Sequence, residues 1–76
     1  MRAYVFVGVE PSKAEEVAGK VAQVGGVKAA HLCWGEPDVI AQVEAENEAD
    51  LKKLVVEGIQ PIGGVRKTDT HLALEK

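Results

Sequence analysis

Residues 3–9 (Ala-Tyr-Val-Phe-Val-Gly-Val) form an apolar run, rich in β-branched and aromatic side chains and closed by Pro11. A run of that length and composition predicts a β-strand. Ser12 followed by Glu15 has the spacing of a capping box, in which hydroxyl and carboxylate each satisfy a free backbone N–H at a helix start. Ala14, Val17, Ala18, Val21 and Ala22 then recur at helical spacing, and Gly25-Gly26 ends the stripe. Residues 27–34 are the next extended stretch, and Trp34-Gly35-Glu36-Pro37-Asp38 supplies a short reversal before a third strand over residues 39–45. There Val39, Ala41, Val43 and Ala45 share one face, whereas Ile40, Gln42 and Glu44 share the other. Asn47 is the expected cap of a second helix, whose apolar stripe is Leu51, Leu54, Val55, Gly58 and Ile59 and whose end is marked by Pro61 and Gly63-Gly64. A last strand is expected over residues 65–74.

The order is strand, helix, strand, strand, helix, strand, and the halves echo one another. Val9-Glu10 and Val43-Glu44 precede the two helices, Gly25-Gly26-Val27 and Gly63-Gly64-Val65 follow them, and each half then carries His-Leu. Two such units predict an α+β, ferredoxin-like βαββαβ sandwich, a four-stranded antiparallel sheet with two helices on one face. With Val5, Val7 and Val9 under the helices, alternation sends Tyr4 and Phe6 to the uncovered face.

Composition makes that face matter. Of 76 residues, 46% are hydrophobic, but only Tyr4, Phe6 and Trp34 are aromatic, so the core is built of small pieces. Cores of this size rarely contribute more than about 3–5 kcal/mol alone. A single cysteine excludes an internal disulfide, and no four-ligand zinc pattern is present. Apolar groups left in water mark interaction surfaces, so a second copy is expected to cover Tyr4 and Phe6. Nine basic against twelve acidic residues, with no cluster of Lys and Arg, exclude a phosphate-tracking surface and therefore direct nucleic-acid binding. The one long apolar run is too short to span a bilayer or to serve as a leader. Residues 1–76 are read as one cytoplasmic domain without a membrane partner.

Candidate chemistry is sparse. His31 and Cys33 share strand parity and His71 could join them, but their spacing is not that of a metal site, and no metal is expected. Cys33 lacks an activating base or helix N-terminus and reads as an inert thiol. The Gly-Gly pairs follow helices instead of opening them, so they end helices and do not cradle phosphate. No catalytic residue and no cofactor are expected. Two segments stand out. Asp38 lies where the reversal enters an apolar strand, and Thr68-Asp69-Thr70 puts two hydroxyls on one face of the last strand. One reading makes Asp38 the anchor of its own turn and the threonines ordinary strand residues. The other is a zwitterion site, with a carboxylate for an ammonium group and Thr hydroxyls with backbone N–H groups near Gly35 for a carboxylate.

Gly35-Glu36-Pro37-Asp38 before an apolar strand, Leu51 and Ile59 along a helix, and Gly64-Val65-Arg66-Lys67-Thr68-Asp69-Thr70-His71-Leu72 together resemble the C-terminal effector-binding (RAM) domain of the Lrp/AsnC regulator family. The resemblance spans essentially the whole chain. It implies a ferredoxin-like fold whose sheet faces pair into a homodimer, dimers that close into octameric or decameric rings, and an amino acid or related small metabolite bound between dimers. The loop motif implicates Gly35 and Asp38 in ligand binding, and the strand motif implicates Thr68 and Thr70. Full-length members carry an N-terminal helix-turn-helix, whereas this sequence opens on the first strand of the effector domain and so resembles the stand-alone members. Regulation would then pass through a full-length Lrp/AsnC paralogue, or the protein would sense a ligand without touching transcription. A small dimeric αβ-barrel enzyme, such as a monooxygenase, uses the same element order. Against it stands the lack of a buried catalytic His with an acid partner.

Overall fold

A computed structural model describes residues 1–74. Its elements are β1 (Arg2–Val9), α1 (Ala14–Val21), β2 (Val27–Leu32), β3 (Val39–Glu44), α2 (Glu48–Lys53), which runs on as a π-helical segment (Leu54–Ile59), and β4 (Val65–Leu72). The four strands form one antiparallel sheet in the order β2-β3-β1-β4. This is the expected ferredoxin-like sandwich.

Alternation along β1 and β3 decides which face is buried. Val5, Val7, Val39, Ala41 and Val43 are fully buried, together with Val17 and Val21 of α1 and Ile59, and Leu51 and Val55 complete the layer. Burying each of these branched side chains contributes roughly 1.5–3 kcal/mol. Tyr4 and Phe6 are half-buried on the opposite, helix-free face. There Phe6 pairs with Ile40 and Asp69, and Tyr4 with Gln42 and His71. His31 and Ala29 of β2 continue these two rows beside Ile40 and Gln42.

The internal repeat has a structural meaning. The Glu10 N–H at the end of β1 donates to the Gly64 carbonyl (2.8 Å), and the Glu44 N–H at the end of β3 donates to the Gly26 carbonyl (2.9 Å). Both glycines have positive φ, +95° at Gly26 and +101° at Gly64, which side chains rarely adopt. Each is followed by a bulge. Val27 pairs with Val43 and Ala29 with Gln42, leaving Lys28 as the extra residue; Val65 pairs with Val9 and Lys67 with Gly8, leaving Arg66. The halves differ in length. The eight residues of α1 are matched by six in α2 and six more in the π segment, and the six of β2 by eight in β4.

The expected cap at Asn47 is present, with Oδ1 accepting from the Asp50 N–H at 2.8 Å. The capping box at Ser12 is not. Ser12 has a φ of +69°, and the cap position falls on Lys13, which makes no side-chain cap bond. A capping side chain reaches its target from extended backbone, and Ser12 is turned out of that conformation. Three strands are also shorter than expected, β3 by the single residue Ala45. β2 stops at Leu32 because the Cys33 N–H turns to the Asp38 carbonyl (2.7 Å) and closes the reversal. β4 stops at Leu72, opposite Ala3, because its partner strand begins at Arg2; a last bond joins the Ala73 N–H to the Arg2 carbonyl (2.9 Å).

Candidate functional site

The reversal between β2 and β3 is held against β1. The Asp38 N–H donates to the Val7 carbonyl (3.2 Å), and Asp38 Oδ2 accepts from the Val9 N–H (2.9 Å). Asp38 is therefore an anchor, as one reading of the sequence expected, but its donor belongs to a strand 29 residues away and not to its own turn. Oδ1 has no protein donor among the described residues, and no buried side-chain polar atom there lacks a partner, so Oδ1 opens to solvent. Gly35 has a φ of +126° and open space where a Cβ would stand, so conformation and not crowding demands glycine. The Glu36-Pro37 peptide bond is cis. Leu32, Cys33, Trp34, Gly35 and Asp38 line a shallow cleft of about 450 Å³, with Trp34 fully exposed at its rim.

Thr68 and Thr70 lie opposite Val7 and Val5, and so on the helix side of β4. Thr68 Oγ1 accepts from Gln60 Nε2 at 2.9 Å. Gln60 follows the π segment, and its N–H donates to the Val55 carbonyl five residues back. That wider turn helps carry the Gln60 side chain to Thr68. Gln60 did not stand out in the sequence; its only signal is a polar residue between a helical stripe and Pro61. Thr70 lines a larger apolar cleft of about 530 Å³ with Leu51, Val55, Val56 and Leu72.

The four candidate ligand residues fall into two pairs. Gly35 and Asp38 lie toward the β3 side of β1, and Thr68 and Thr70 lie on β4, two strand spacings of about 4.8 Å away. One chain does not bring them around one cavity. On the open face, Phe6 stacks on His71 with ring centroids 4.6 Å apart, and His71 Nε2 meets Asp69 Oδ2 at 3.1 Å. Cys33 Sγ donates to the His31 carbonyl at 3.6 Å, and among the described residues no three His, Cys, Asp or Glu side chains converge as metal ligands. No helix among them is long and apolar enough to cross a membrane.

Residues 2–76 match the family model of the Lrp/AsnC ligand binding domain. An uncharacterized HTH-type transcriptional regulator of Pyrococcus furiosus is 34% identical over 74 residues, covering 93% of this chain and 49% of that protein. The chain spans about half the length of the curated relatives it matches. Among solved structures, FFRP-DM1 superposes with a TM-score of 0.88 at 29% identity, covering 96% of this chain and 97% of that one. A transcriptional regulator of Neisseria meningitidis, in complex with L-Met, superposes with a TM-score of 0.85 at 19% identity, covering 99% of this chain and 50% of that one. The last likeness speaks to the fold alone.

Proposed function

The chain belongs to the Lrp/AsnC ligand-binding domain family, and from that premise we propose that it is an amino-acid-sensing module that acts by binding, not by catalysis. The observation that carries the proposal is Asp38. Its Oδ2 is committed to the Val9 N–H while its Oδ1 faces solvent beside the Gly35 loop, so an oriented carboxylate is available to an ammonium group. Such charge-assisted bonds are about twice as strong as neutral ones. Thr68 and Thr70 of a neighbouring copy would supply hydroxyls to the ligand carboxylate, since within one chain they lie on another strand. The curated relatives are HTH-type transcriptional regulators, and the Neisseria regulator is one solved with L-Met; both support a binding role.

A homodimer formed through the sheet face of Tyr4 and Phe6 belongs to the same proposal, as do octameric or decameric rings, a full-length paralogue as the route to transcription, and a cytoplasmic setting. The partly exposed aromatic pair on a helix-free face supports the dimer. A thermal-shift panel of the twenty amino acids tests the sensing claim. At least one should stabilise the protein, and Asp38→Asn, which keeps an acceptor for the Val9 N–H, should weaken its binding roughly tenfold or more. A panel with no response would overturn the reading. Light scattering tests the assembly: a monomer mass at micromolar concentration would overturn it.

A further inference from the structure

Trp34 is the largest side chain of the protein, and it is fully exposed. The loop that carries it is fixed. The Cys33 N–H donates to the Asp38 carbonyl (2.7 Å), closing the reversal around Trp34, and Asp38 is tied to β1 at Val7 and Val9. Leu32, half exposed, lines the same shallow cleft as the indole. Neighbouring exposed apolar groups mark contact surfaces, and a Trp that fills a partner's pocket is a frequent anchor of such contacts.

The same chain carries a receptacle. The 530 Å³ cleft between the second helix and β4 is walled by Leu51, Val55, Val56 and Leu72, of which Val56 and Leu72 are exposed. It opens on the helix side, so a copy seated on the Tyr4 and Phe6 face leaves it uncovered. Its own chain's indole lies too far away to enter. Trp34 follows β2, whose end lies beside Val39 and the Val7 end of β1, whereas Leu72 lies opposite Ala3 on the other edge strand. Three strand spacings of about 4.8 Å and four residues of about 3.4 Å separate the two, about 20 Å in all. The polar groups are complementary as well. A buried indole N–H needs an acceptor, and the Thr70 hydroxyl and the Glu48 carboxylate line the cleft. Lys52 lines it too, and Glu36 follows Trp34 by two residues; neither belongs to an ion pair among the described residues.

We propose that Trp34 of one copy seats in the cleft between the second helix and β4 of a neighbouring copy, with Glu36 against Lys52. Such a contact joins two different surfaces, so it passes from copy to copy and closes into a ring when the rotation permits. The inference rests on the assembly reading above and names the contact that links one dimer to the next. It also sets Gly35 and Asp38 of one copy beside Thr70 of its neighbour, residues that one chain keeps in separate clefts.

Trp34 is the only tryptophan, so its fluorescence reports the contact directly. At micromolar concentration the mass by light scattering should exceed that of a dimer and the emission should be that of a buried indole, moving to the red on dilution as the mass falls. Trp34→Ala and Val56→Asp should each weaken the contact roughly thirtyfold, the effect of losing one buried anchor, and leave dimers. Val56 is exposed, so its replacement spares the core, and the Val56→Asp protein should show a solvated indole. The Trp34→Ala protein keeps an open cleft but carries no tryptophan; adding it to the Val56→Asp protein should move the emission back to the blue. Lys52→Glu should weaken the contact and Glu36→Lys in the same chain should restore it, and failure of that rescue overturns the pairing of these two residues. A solvated Trp34 in a protein heavier than a monomer overturns the contact and leaves the sheet-face dimer standing. A buried Trp34 that Val56→Asp does not release overturns it as well, because the indole then lies elsewhere. A monomer with a solvated Trp34 overturns the contact and the assembly reading together.

Discussion

The first and second βαβ halves begin their closing strands alike: a positive-φ glycine accepts a backbone bond from the strand end of the other half, and a bulge follows. They differ in what is added to that frame. The first half has an eight-residue helix and a six-residue strand; the second inserts a π segment and lengthens its strand. The additions touch part of the candidate chemistry. The π segment leads to Gln60 and so to Thr68, the longer strand adds His71 and Leu72 beyond Thr70, and the second bulge carries Arg66 and Lys67 opposite Gly8 where the first carries Lys28 and Ala29 opposite Gln42. Features common to both halves build the sandwich, and features confined to the second furnish it with polar groups.

The comparison breaks most readily at the two glycines. A Cβ on Gly26 would stand 2.5 Å from Leu54 Cδ1 and 3.1 Å from the Glu44 carbonyl oxygen, whereas one on Gly64 would meet Val17 Cγ2 at 3.0 Å and Lys13 Cβ at 3.2 Å. Both substitutions carry a left-handed backbone penalty of about 1–2 kcal/mol, and overpacking adds about 1–3 kcal/mol. Gly26→Ala should therefore lower stability in urea by about 3–4 kcal/mol and Gly64→Ala by about 2 kcal/mol. Equal losses would mean that the closures are interchangeable and that the tighter contact at Gly26 relaxes.

The helix starts offer a second contrast. Asn47→Ala should cost about 1 kcal/mol, since it removes the bond to the Asp50 N–H. Ser12→Ala should be close to neutral, because Ser12 caps nothing, and Ser12→Gly should stabilise by up to about 1 kcal/mol by relieving a left-handed residue. A Ser12→Ala loss as large as that of Asn47→Ala would restore the capping box that the structure does not show. The smallest effect belongs to the addition itself. Gln60→Ala removes an exposed side-chain bond to Thr68 and should change stability by about 0.5 kcal/mol or less. A loss several times larger would place that bond among the supports of the fold and not among its additions.

Much of the architecture was legible in the residue pattern. Alternation in β1 and β3 sorts Val5, Val7, Val39, Ala41 and Val43 from Tyr4, Phe6, Ile40 and Gln42, because a strand's side chains change face with every residue. The apolar stripes announced both helices, and Asn47 announced its cap, because helical spacing and capping act within a few residues. Ser12 looked identical to a cap in sequence and failed, since it sits in the tight turn that the Lys13 N–H closes on the Glu10 carbonyl (3.1 Å), where its φ is positive. The candidate site was legible in part. Asp38, Gly35, Thr68 and Thr70 stood out by type and position, while Gln60, the partner of Thr68, did not.

The order of elements, the face each residue takes and the echo between the halves were thus written in local periodicity, and the chain's own sequence determined them. Tertiary structure alone decided which groups meet. Asp38 finds Val9, and Arg66 becomes the extra residue of a bulge, only because strands far apart in sequence settle into one register. A hydrogen bond or bulge between such strands depends on alignment across the sheet, which no short-range pattern encodes.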